Sequence, residues 1–397
     1  MNVIVLNDFG YIEGGATKVA IDSAVKLAEI GQKVTYVCCV GPVGPELLNS
    51  KVNSICINSR YINSEGSKLK NAKTNIYNKF AEKKLREILK GFSNRNTIIH
   101  IHVFCKAFSS SIFHAIEKLG FKYVVTLHDY FLICGNGAIY DFKAQKLCPR
   151  KPGSLSCYFC NCDRRSYSQK LFRSLRLRVQ KSHTKNIKNF ISIAENNEAL
   201  IKRFYPDSNF YRIYNPIEKC TEVNDFSKND NYVFLGRVGE EKNPELFCEA
   251  ATRLNLKAVV IGDGPQLNFL REKYPNINFT GWLTQSEILE YKKHAKCLVF
   301  TSKWYEGMPL TVGEFLLCKI PVISSDVANS TELFKTNDLI FKSDNVESLI
   351  DVLRKFDSSK DEDLFKHNFN YEDICEKFGP KNHYKKLLET YDEILSK

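Results

Sequence analysis

The chain has 397 residues, of which 43% are hydrophobic and 12% aromatic, so it is long enough for about two domains with buried cores. No apolar run reaches the ~18 residues needed to span a bilayer. The opening residues, MNVIVLNDFG, lack the basic segment of a signal peptide. Fourteen cysteines without a secretion signal indicate a reducing compartment, so we predict a cytoplasmic protein with free thiols or a metal site.

Positive charge is concentrated in the first half of the chain. Residues 1–210 contain 32 Lys/Arg and 15 Asp/Glu, a net charge of +17, whereas the remaining residues carry −5 and the whole chain +12. This asymmetry indicates that one half meets an anionic partner: a membrane surface, a phosphorylated acceptor or a nucleic acid. A charged, solvated surface is the alternative.

The first half alternates short apolar strands with longer helical patterns. Strands are predicted at 2–7, 33–40, 96–102, 122–129 and 190–196, and helices at 14–31 and around 108–119. Such a series predicts a mostly parallel sheet covered by helices.

A cysteine-rich insertion at residues 134–188 interrupts this series. The Cys157-x-x-Cys160 spacing is typical of a metal site, and Cys148 and Cys162 would complete four thiolates, so a structural zinc is predicted. The tight Cys160-x-Cys162 spacing argues against zinc. Reduced, partly buried thiols are the alternative.

The end of the insertion, residues 164–188, contains nine Lys/Arg and no acidic residue. Leu171, Leu175 and Val179 share one helical face. A basic amphipathic helix suits an anionic membrane surface, so we predict peripheral binding at the inner face of the cytoplasmic membrane. The alternative is a helix that packs its apolar face on its own domain and leaves its basic side solvated.

The strand and helix alternation restarts after a boundary near residues 205–220. Strands are predicted at 231–236, 257–262, 277–282, 296–302 and 319–326, a helix at 244–254, and a final amphipathic helix at 383–397. The chain therefore consists of two doubly wound domains, in which ligands bind outside the carboxyl ends of the strands.

The segment YEGMPLTVGE places Glu306 and Glu314 on either side of Pro309, which is favoured at a helix start. Free N–H groups at such a start bind anions, and carboxylates beside them accept hydrogen bonds from hydroxyls. Hydroxyl groups next to a phosphate describe a nucleotide sugar.

Two cations and a glycine pair follow other strands. Arg237 and Lys242 lie at a strand–helix junction, which suits a diphosphate, although two ordinary surface cations would look the same. Gly14 and Gly15 allow close approach of the backbone to an anion, although they also fit a plain tight turn. They are not part of a GxGxxG motif, which disfavours a dehydrogenase.

The order EGGATKVA, TLHDY, FLGRVGEEKNPELF, IGDGP and EGMPLTVGE resembles glycosyltransferase family 4, retaining enzymes of the GT-B fold. The cysteine-rich stretch after HDY is similar to that of bacterial surface-polysaccharide (O-antigen or capsule) transferases. The resemblance covers nearly the whole chain. It implies an α/β structure of two Rossmann-like domains, 1–210 and 211–380, that face each other across a cleft, with a C-terminal helix, 381–397, crossing back to the first domain.

The resemblance also implies roles for single residues. Glu306 would contact the donor-sugar hydroxyls, Glu314 the ribose hydroxyls, and Arg237 and Lys242 the diphosphate. Further donor contacts are implied for Gly14, Gly15, Gly262, Gly264, Leu283, Gly307, Met308, Pro309 and Leu310. The segment SDVANSTELF departs from the family pattern, which puts donor contacts from this loop in doubt, although Glu332 matches the family's glutamate.

His128 in TLHDY ends a predicted strand, and the resemblance implies that it faces the sugar and, with Glu306, takes part in catalysis. We predict that it positions and polarises rather than acts as a nucleophile. An ordinary strand-end histidine held by Asp129 is the alternative.

The expected function is a retaining hexosyltransferase that moves a sugar from a nucleoside diphosphate to a saccharide acceptor, which we expect to be lipid-linked. No cofactor is expected for the chemistry, because Arg237 and Lys242 would neutralise the diphosphate. The alternatives are an epimerase or phosphorylase of the same fold, or a non-catalytic module for an anionic ligand. The basic stretch carries no RNA-binding signature, so no nucleic-acid partner is expected.

Overall fold

The computed structural model describes residues 1–61, 64–65, 67–218, 228–359 and 364–397. The chain divides into two compact units. The first contains Met1–Ala138, Pro149–Asn215 and His383–Lys397, and the second contains Ile139–Cys148 and Pro216–Asn382.

The strands of the described residues are β1 Asn2–Phe9, β2 Lys33–Val40, β3 Asn53–Cys56, β4 Thr97–Ile101, β5 Lys122–Leu127, β6 Tyr140–Asp141, β7 Lys146–Leu147, β8 Asn189–Ser192, β9 Asn209–Arg212, β10 Asn231–Leu235, β11 Ala258–Ile261, β12 Asn278–Gly281, β13 Ala295–Phe300, β14 Val322–Ser325 and β15 Ile340–Phe341.

The α-helices of the same residues are α1 Gly15–Glu29, α2 Pro45–Leu48, α3 Lys68–Ile76, α4 Lys79–Leu89, α5 Ser111–Lys118, α6 Leu155–Phe159, α7 Tyr167–Thr184, α8 Glu195–Lys202, α9 Pro244–Arg253, α10 Leu267–Lys273, α11 Gln285–Lys293, α12 Leu310–Leu317, α13 Val346–Ser358, α14 Leu364–Asn368, α15 Tyr371–Phe378 and α16 Pro380–Ser396. Within the described part of the chain, no helix combines the length and the apolar character that a bilayer crossing requires.

The first unit is built on a seven-stranded sheet in the order β3-β2-β1-β4-β5-β8-β9, in which every neighbouring pair is parallel. Val3 of β1 lies opposite Val34 on one side and Ile98 on the other. These apolar residues pack in one cluster with α1 and with the C-terminal helix, which contributes Tyr384, Leu387, Tyr391 and Ile394. The C-terminal helix therefore completes the core of the first unit.

The second unit has a six-stranded parallel sheet in the order β12-β11-β10-β13-β14-β15. Both sheets share the Rossmann arrangement, in which the strand order reverses beside the first strand of the unit. The reversal lies between β1 and β4 in the first unit and between β10 and β13 in the second. Ligands of open α/β sheets bind at the carboxyl ends of such strands. The predicted α/β class with two Rossmann-like domains is confirmed.

Part of the cysteine-rich insertion belongs to the second unit. The sequence predicts all of residues 134–188 in the first domain, but Ile139–Cys148 belong to the second unit. Strands β6 and β7 form a short antiparallel hairpin in which Tyr140 lies opposite Leu147. The rings of Tyr140 and Phe142 pack edge-on against Trp304, with centroids 6.3 and 6.1 Å apart, so aromatic packing holds the hairpin on the second unit.

Helix α7 presents two of its three leucines to solvent. Leu171 and Leu175 are 43% and 52% exposed, so the alternative in which this apolar face packs on its own domain is wrong. The buried side of the helix is mostly polar and consists of Lys170, Ser174, Arg176, Leu177, Gln180 and Thr184.

Candidate functional site

The predicted site residues divide between the two units. Gly14, Gly15 and His128 belong to the first unit, and those from Arg237 to Glu314 belong to the second. In the second unit, Arg237 and Lys242 follow β10 and Glu306 follows β13. Because β10 and β13 are parallel neighbours, both loops leave the same edge of the sheet, at the point where the strand order reverses.

Lys242 and Glu306 meet at this edge. Lys242 Nζ lies 2.6 Å from Glu306 Oε1 and 2.5 Å from Oε2. Ser302 Oγ also donates to Glu306 Oε1, and Asn329 Nδ2 donates to the Glu306 carbonyl oxygen. The carboxylate is thus held by a cation and a hydroxyl, and its backbone by an amide. This arrangement orients Glu306 before any ligand binds.

Backbone and side-chain bonds connect the two loops further. Thr301 Oγ1 donates to the carbonyl oxygens of Lys242, at 2.7 Å, and Asn243, at 2.9 Å. Lys303 N donates to the carbonyl of Glu241 at 2.9 Å. Arg237 Nη1 donates to the buried Glu241 carboxylate at 2.8 Å, with about half of the arginine side chain exposed. Two cations are therefore fixed beside one exposed edge, as a diphosphate requires.

Gly262 and Gly264 have a packing role in the structure. A Cβ on Gly262 would lie 1.9 Å from the Gly236 carbonyl oxygen, and one on Gly264 would lie 2.2 Å from that of Val238. Val238 N donates to the Asp263 carbonyl at 2.9 Å. The glycines therefore let the loop after β11 press on the loop that carries Arg237. Their implied contact with the donor stays a prediction.

The segment from Gly307 to Leu310 leads from Glu306 into α12. Met308 and Pro309 are buried, and Pro309 is the N-cap residue, one position before the helix. Glu314 lies in the second turn of α12, where its Oε2 is 2.8 Å from Lys292 Nζ. Lys292 also lies over the ring of Phe315, at 5.2 Å. Glu314 thus has a nearly buried cation as its partner.

Leu283 lies apart from the two central strands. It follows β12, at the outer edge of the sheet, and is half-buried next to the N-cap of α11. There Thr284 and Glu287 form a capping box. The structure leaves the predicted donor contact of Leu283 untested.

In the first unit, Gly14 and Gly15 form the start of α1. Both are exposed, and a Cβ on either would meet no atom within 4 Å. Packing within the unit therefore does not explain the absence of side chains here. No side chain caps the start of this 15-residue helix, so its first backbone N–H groups are left for an anion.

His128 is held by a second histidine rather than by Asp129. Its Nε2 lies 2.9 Å from His102 Nδ1, and the two rings stack with centroids 5.2 Å apart. Asp129 Oδ1 instead accepts from Phe131 N at 2.9 Å. Burial lowers the pKa of His128 to about 4, so its ring is neutral near pH 7. A neutral ring keeps one N–H group, so it can position a hydroxyl group by hydrogen bonding, but it is a weak acid.

A buried aspartate supports the loop after β4. Asp8, near the end of β1, accepts from the backbone N–H groups of Lys106, at 2.7 Å, Ala107, at 3.0 Å, and Phe108, at 2.8 Å. Burial raises its pKa to about 7 even though these hydrogen bonds favour the charged form. We assign Asp8 to positioning this loop.

The four predicted zinc ligands divide between the units. Cys148 is half-buried in the second unit, whereas Cys157, Cys160 and Cys162 are buried in the first. Cys160 Sγ donates to the Cys157 carbonyl at 3.1 Å. Among the described residues, no group of three or more His, Cys, Asp or Glu side chains is placed to hold a metal ion. The structure gives the zinc prediction no support, and it stays a prediction.

Sequence reasoning did not single out His102, Lys292 or Asn329. His102 directly follows β4, a strand at the point of order reversal, so its place at a strand end was an available signal. Asn329 lies in SDVANSTELF, the segment that departs from the family pattern. No local pattern marks Lys292, because its contact with Glu314 depends on how α11 and α12 pack.

The comparisons with known proteins agree with this geometry. Residues 218–371 match the family described as glycosyl transferases group 1. Across 99% of this chain and 100% of the other, the fold is similar to the crystal structure of Anabaena Alr3699/HepE in complex with UDP, with a TM-score of 0.69 and 13% identity. The fold is that of GT-B glycosyltransferases.

Two curated relatives match over part of the chain. The putative teichuronic acid biosynthesis glycosyltransferase TuaC of Bacillus subtilis is 29% identical over 168 residues, 41% of this chain and 42% of that protein. The Campylobacter jejuni protein "GalNAc-alpha-(1->4)-GalNAc-alpha-(1->3)-diNAcBac-PP-undecaprenol alpha-1,4-N-acetyl-D-galactosaminyltransferase" is 29% identical over 139 residues, 32% of this chain and 38% of that protein. The matched region thus spans about two-fifths of the length of these relatives.

Proposed function

We propose that the protein is a retaining glycosyltransferase of family 4 that transfers a hexosyl group from a nucleoside diphosphate sugar to a saccharide acceptor. One observation carries this proposal. Arg237 and Lys242 follow one of the two strands at the reversal of order, Glu306 follows the other, and Lys242 contacts Glu306. Cations for a diphosphate and a carboxylate for hydroxyl groups therefore stand at one edge of the second unit.

Each residue of this edge has a proposed task. Arg237 and Lys242 neutralise the diphosphate as it leaves, which supplies electrostatic stabilisation where charge develops. Glu306 accepts hydrogen bonds from donor-sugar hydroxyls and Glu314 from ribose hydroxyls. In the first unit, the backbone N–H groups at the start of α1, near Gly14 and Gly15, donate hydrogen bonds to phosphate oxygens, and the neutral His128 positions a hydroxyl group.

The proposed reaction retains the configuration of the sugar. The acceptor oxygen forms its bond to C1 of the sugar on the face from which the diphosphate departs. The bond between C1 and the phosphate oxygen breaks, and a phosphate oxygen takes the proton of the acceptor hydroxyl. This scheme needs no strong protein base, which agrees with a His128 whose pKa burial lowers to about 4.

For the acceptor, we propose a lipid-linked saccharide of a surface polysaccharide. Support comes from the two relatives, whose names refer to teichuronic acid biosynthesis and to a diphospho-undecaprenol saccharide. Such an acceptor would place the protein at the inner face of the cytoplasmic membrane. The Anabaena structure with UDP makes uridine diphosphate sugars the first donors to test.

The first experiment is a thermal-shift panel of nucleoside diphosphates and their sugars, followed by an assay of nucleoside diphosphate release. We expect one nucleotide sugar to raise the melting temperature and to release its diphosphate, faster when an acceptor is present. Glu306→Gln should slow release, whereas Glu290→Gln, at an exposed carboxylate on α11, should leave the rate unchanged. A changed nucleotide sugar formed without an acceptor would instead identify an epimerase, and no shift with any donor would overturn the proposal.

Release should also continue in the presence of EDTA, because Arg237 and Lys242 supply the positive charge at the diphosphate. Loss of activity that magnesium or manganese restores would contradict this point. Elemental analysis of washed protein tests the separate zinc prediction, since bound zinc would appear there whether or not it affects transfer.

A further inference from the structure

An exposed apolar stripe runs along α7. Tyr167, Leu171 and Leu175 are spaced four residues apart, which places them on one side of the helix, and all three are exposed. On α6, which packs against α7, Leu155 and Phe159 are exposed as well. These five residues, which we call the apolar stripe, are five of the twelve exposed large hydrophobic side chains among the described residues. Such a concentration marks an interaction surface.

Polar contacts on the opposite side of α7 determine its orientation. Arg176 Nη1 donates to Asn75 Oδ1 at 3.3 Å and to the Cys105 carbonyl at 3.2 Å. Gln180 Nε2 donates to the Phe131 carbonyl at 2.9 Å. Rotating the helix to bury Leu171 and Leu175 would break these hydrogen bonds and leave buried polar groups unpaired. The stripe is therefore held outward by the fold.

Exposed cations lie along α7 and at both of its ends. Residues 164–188 contain nine Lys/Arg and no acidic residue. Arg173 is paired with Asp163, and Arg176 is buried in the contacts described above, so neither is available to a partner. Arg165, Arg178 and Lys185 are exposed. Arg178 continues the stripe, since it lies seven residues after Leu171, two helical turns along.

We propose that the apolar stripe, flanked by Arg165, Arg178 and Lys185, docks the first unit on a bilayer that contains anionic phospholipids. Leucine and aromatic side chains enter the boundary between headgroups and acyl chains, and the cations bind the lipid phosphates. This inference deepens the proposed function, because a lipid-linked acceptor lies in such a bilayer. The inference rests on the proposed function for the biological purpose of docking. The docking itself requires neither donor nor acceptor.

The chemistry favours a bilayer over other partners. A nucleic acid would bind the cations through its phosphates, but it would not explain why leucine side chains are exposed beside them. A second copy of the chain could cover Leu171 and Leu175, but it would also bring a second set of cations to a surface that has no acidic residue in 164–188. A bilayer with anionic lipid can bind the apolar side chains and the flanking cations at the same time.

The test measures flotation of the full chain with phosphatidylcholine vesicles, with and without phosphatidylglycerol, at low and high salt. We expect binding only to the vesicles with phosphatidylglycerol, and weaker binding at high salt. Leu171→Ser with Leu175→Ser should weaken binding about tenfold or more. Replacing Arg165, Arg178 and Lys185 by serine should weaken it about fivefold per residue.

Matched controls lie elsewhere on the first unit. Ile30→Ser with Leu48→Ser removes two exposed apolar side chains, and replacing Lys33, Lys51 and Arg95 by serine removes three exposed charges. Both control variants should bind vesicles like the original protein. All four variants should melt like it, because the replaced side chains are exposed.

Several outcomes would overturn the proposal. These are absence of binding at low salt, equal binding to neutral vesicles, or equal loss in the controls. A leucine variant that melts much earlier would show that the leucines are packed. A dimer that the leucine variant abolishes, without vesicle binding, would assign the surface to a second copy. Because vesicle binding is measured without substrates and diphosphate release without vesicles, failure of docking and failure of the proposed activity are distinguishable.

Discussion

Lys242 and Glu306 form an ion pair across the two central loops of the second unit, with Nζ 2.6 Å from Oε1, although 64 residues separate them in sequence. Only 20% and 12% of the two side chains are exposed, so the pair is little screened by water. In the proposed function, a donor diphosphate enters beside Lys242 and competes with Glu306 for this cation.

The first prediction separates the tasks of these two residues. Glu306→Gln should lower turnover of the donor sugar by roughly ten- to 150-fold, because a hydrogen bond to a charged group contributes about 1.5–3 kcal/mol. Affinity for the free nucleoside diphosphate should stay the same or rise, since Lys242 loses its competitor. Lys242→Ala should weaken that affinity. Calorimetric titration and initial rates measure both, and equal loss of diphosphate affinity in the two variants would contradict the division.

The second prediction concerns Glu314, which is paired with Lys292 at 2.8 Å. Glu314→Ala should weaken the binding of nucleoside diphosphate and of nucleotide sugar to the same extent, because both ligands contain ribose. The expected loss is again roughly ten- to 150-fold. Titration of both ligands measures it, with Glu290→Gln as the control. An effect confined to the nucleotide sugar would place Glu314 at the sugar instead.

The third prediction tests the hairpin of the second unit. The ring of Phe142 contacts Trp304, which lies two residues before Glu306. In a Trp282→Phe background, where Trp304 is the only tryptophan, Phe142→Ala should shift the emission to longer wavelength because water reaches the indole. Turnover should fall while diphosphate affinity is kept, since the loop that carries Glu306 loses support.

Phe269→Ala is the control for this variant, because Phe269 is an exposed ring of the same unit that contacts Lys273. It should change neither emission nor turnover. Unchanged emission in Phe142→Ala would show that the hairpin does not shield Trp304 in solution.

The fourth prediction is a pH dependence of stability. Burial lowers the pKa of His383 to about 4, below its ordinary value of 6.5. Between these values the unfolded chain binds a proton that the folded chain excludes, so the stability contributed by the neutral ring is present above pH 6.5 and is lost as pH falls towards 4. The cost at pH 5 is about 2 kcal/mol.

His383→Gln removes this titration while the amide can still donate to the Tyr214 carbonyl, which His383 Nδ1 contacts at 2.7 Å. The variant should therefore gain about 2 kcal/mol relative to the original protein when the pH falls from 7 to 5. Asp8 and Asp129, whose pKa values burial raises, titrate in both proteins and cancel in the difference. Urea unfolding at the two pH values measures the free energy of unfolding of both proteins. If the difference between them is the same at pH 7 and pH 5, His383 does not cause the pH dependence.

Much of the fold followed from local patterns. Parallel strands with helices on both faces are buried on both sides, so they appear as short continuous apolar runs between helical periods. The strand predicted at 190–196 is shorter in the structure than in the prediction, since β8 ends at Ser192 and α8 begins at Glu195. The loops that carry Arg237 and Glu306 were predicted at one edge because parallel strands all point their carboxyl ends the same way.

Local patterns could not predict contacts between segments that are distant in sequence. The pairs His102–His128 and Lys292–Glu314 join residues 26 and 22 positions apart, and each depends on which strands or helices become neighbours. The place of the hairpin shows the same limit. Spacing gave no sign that Tyr140 and Phe142 pack on Trp304, which assigns Ile139–Cys148 to the second unit.

The sequence by itself determined that the chain has two doubly wound units, where the carboxyl ends of their strands lie, and that Leu171 and Leu175 share one side of a helix. Only the tertiary structure decided that this side faces outward. Periodicity specifies which residues share a face, but burial depends on what the surrounding fold offers to each face. Around α7 it offers Asn75 and the carbonyls of Cys105 and Phe131, which bind Arg176 and Gln180, so the polar side is buried and the leucines stay exposed.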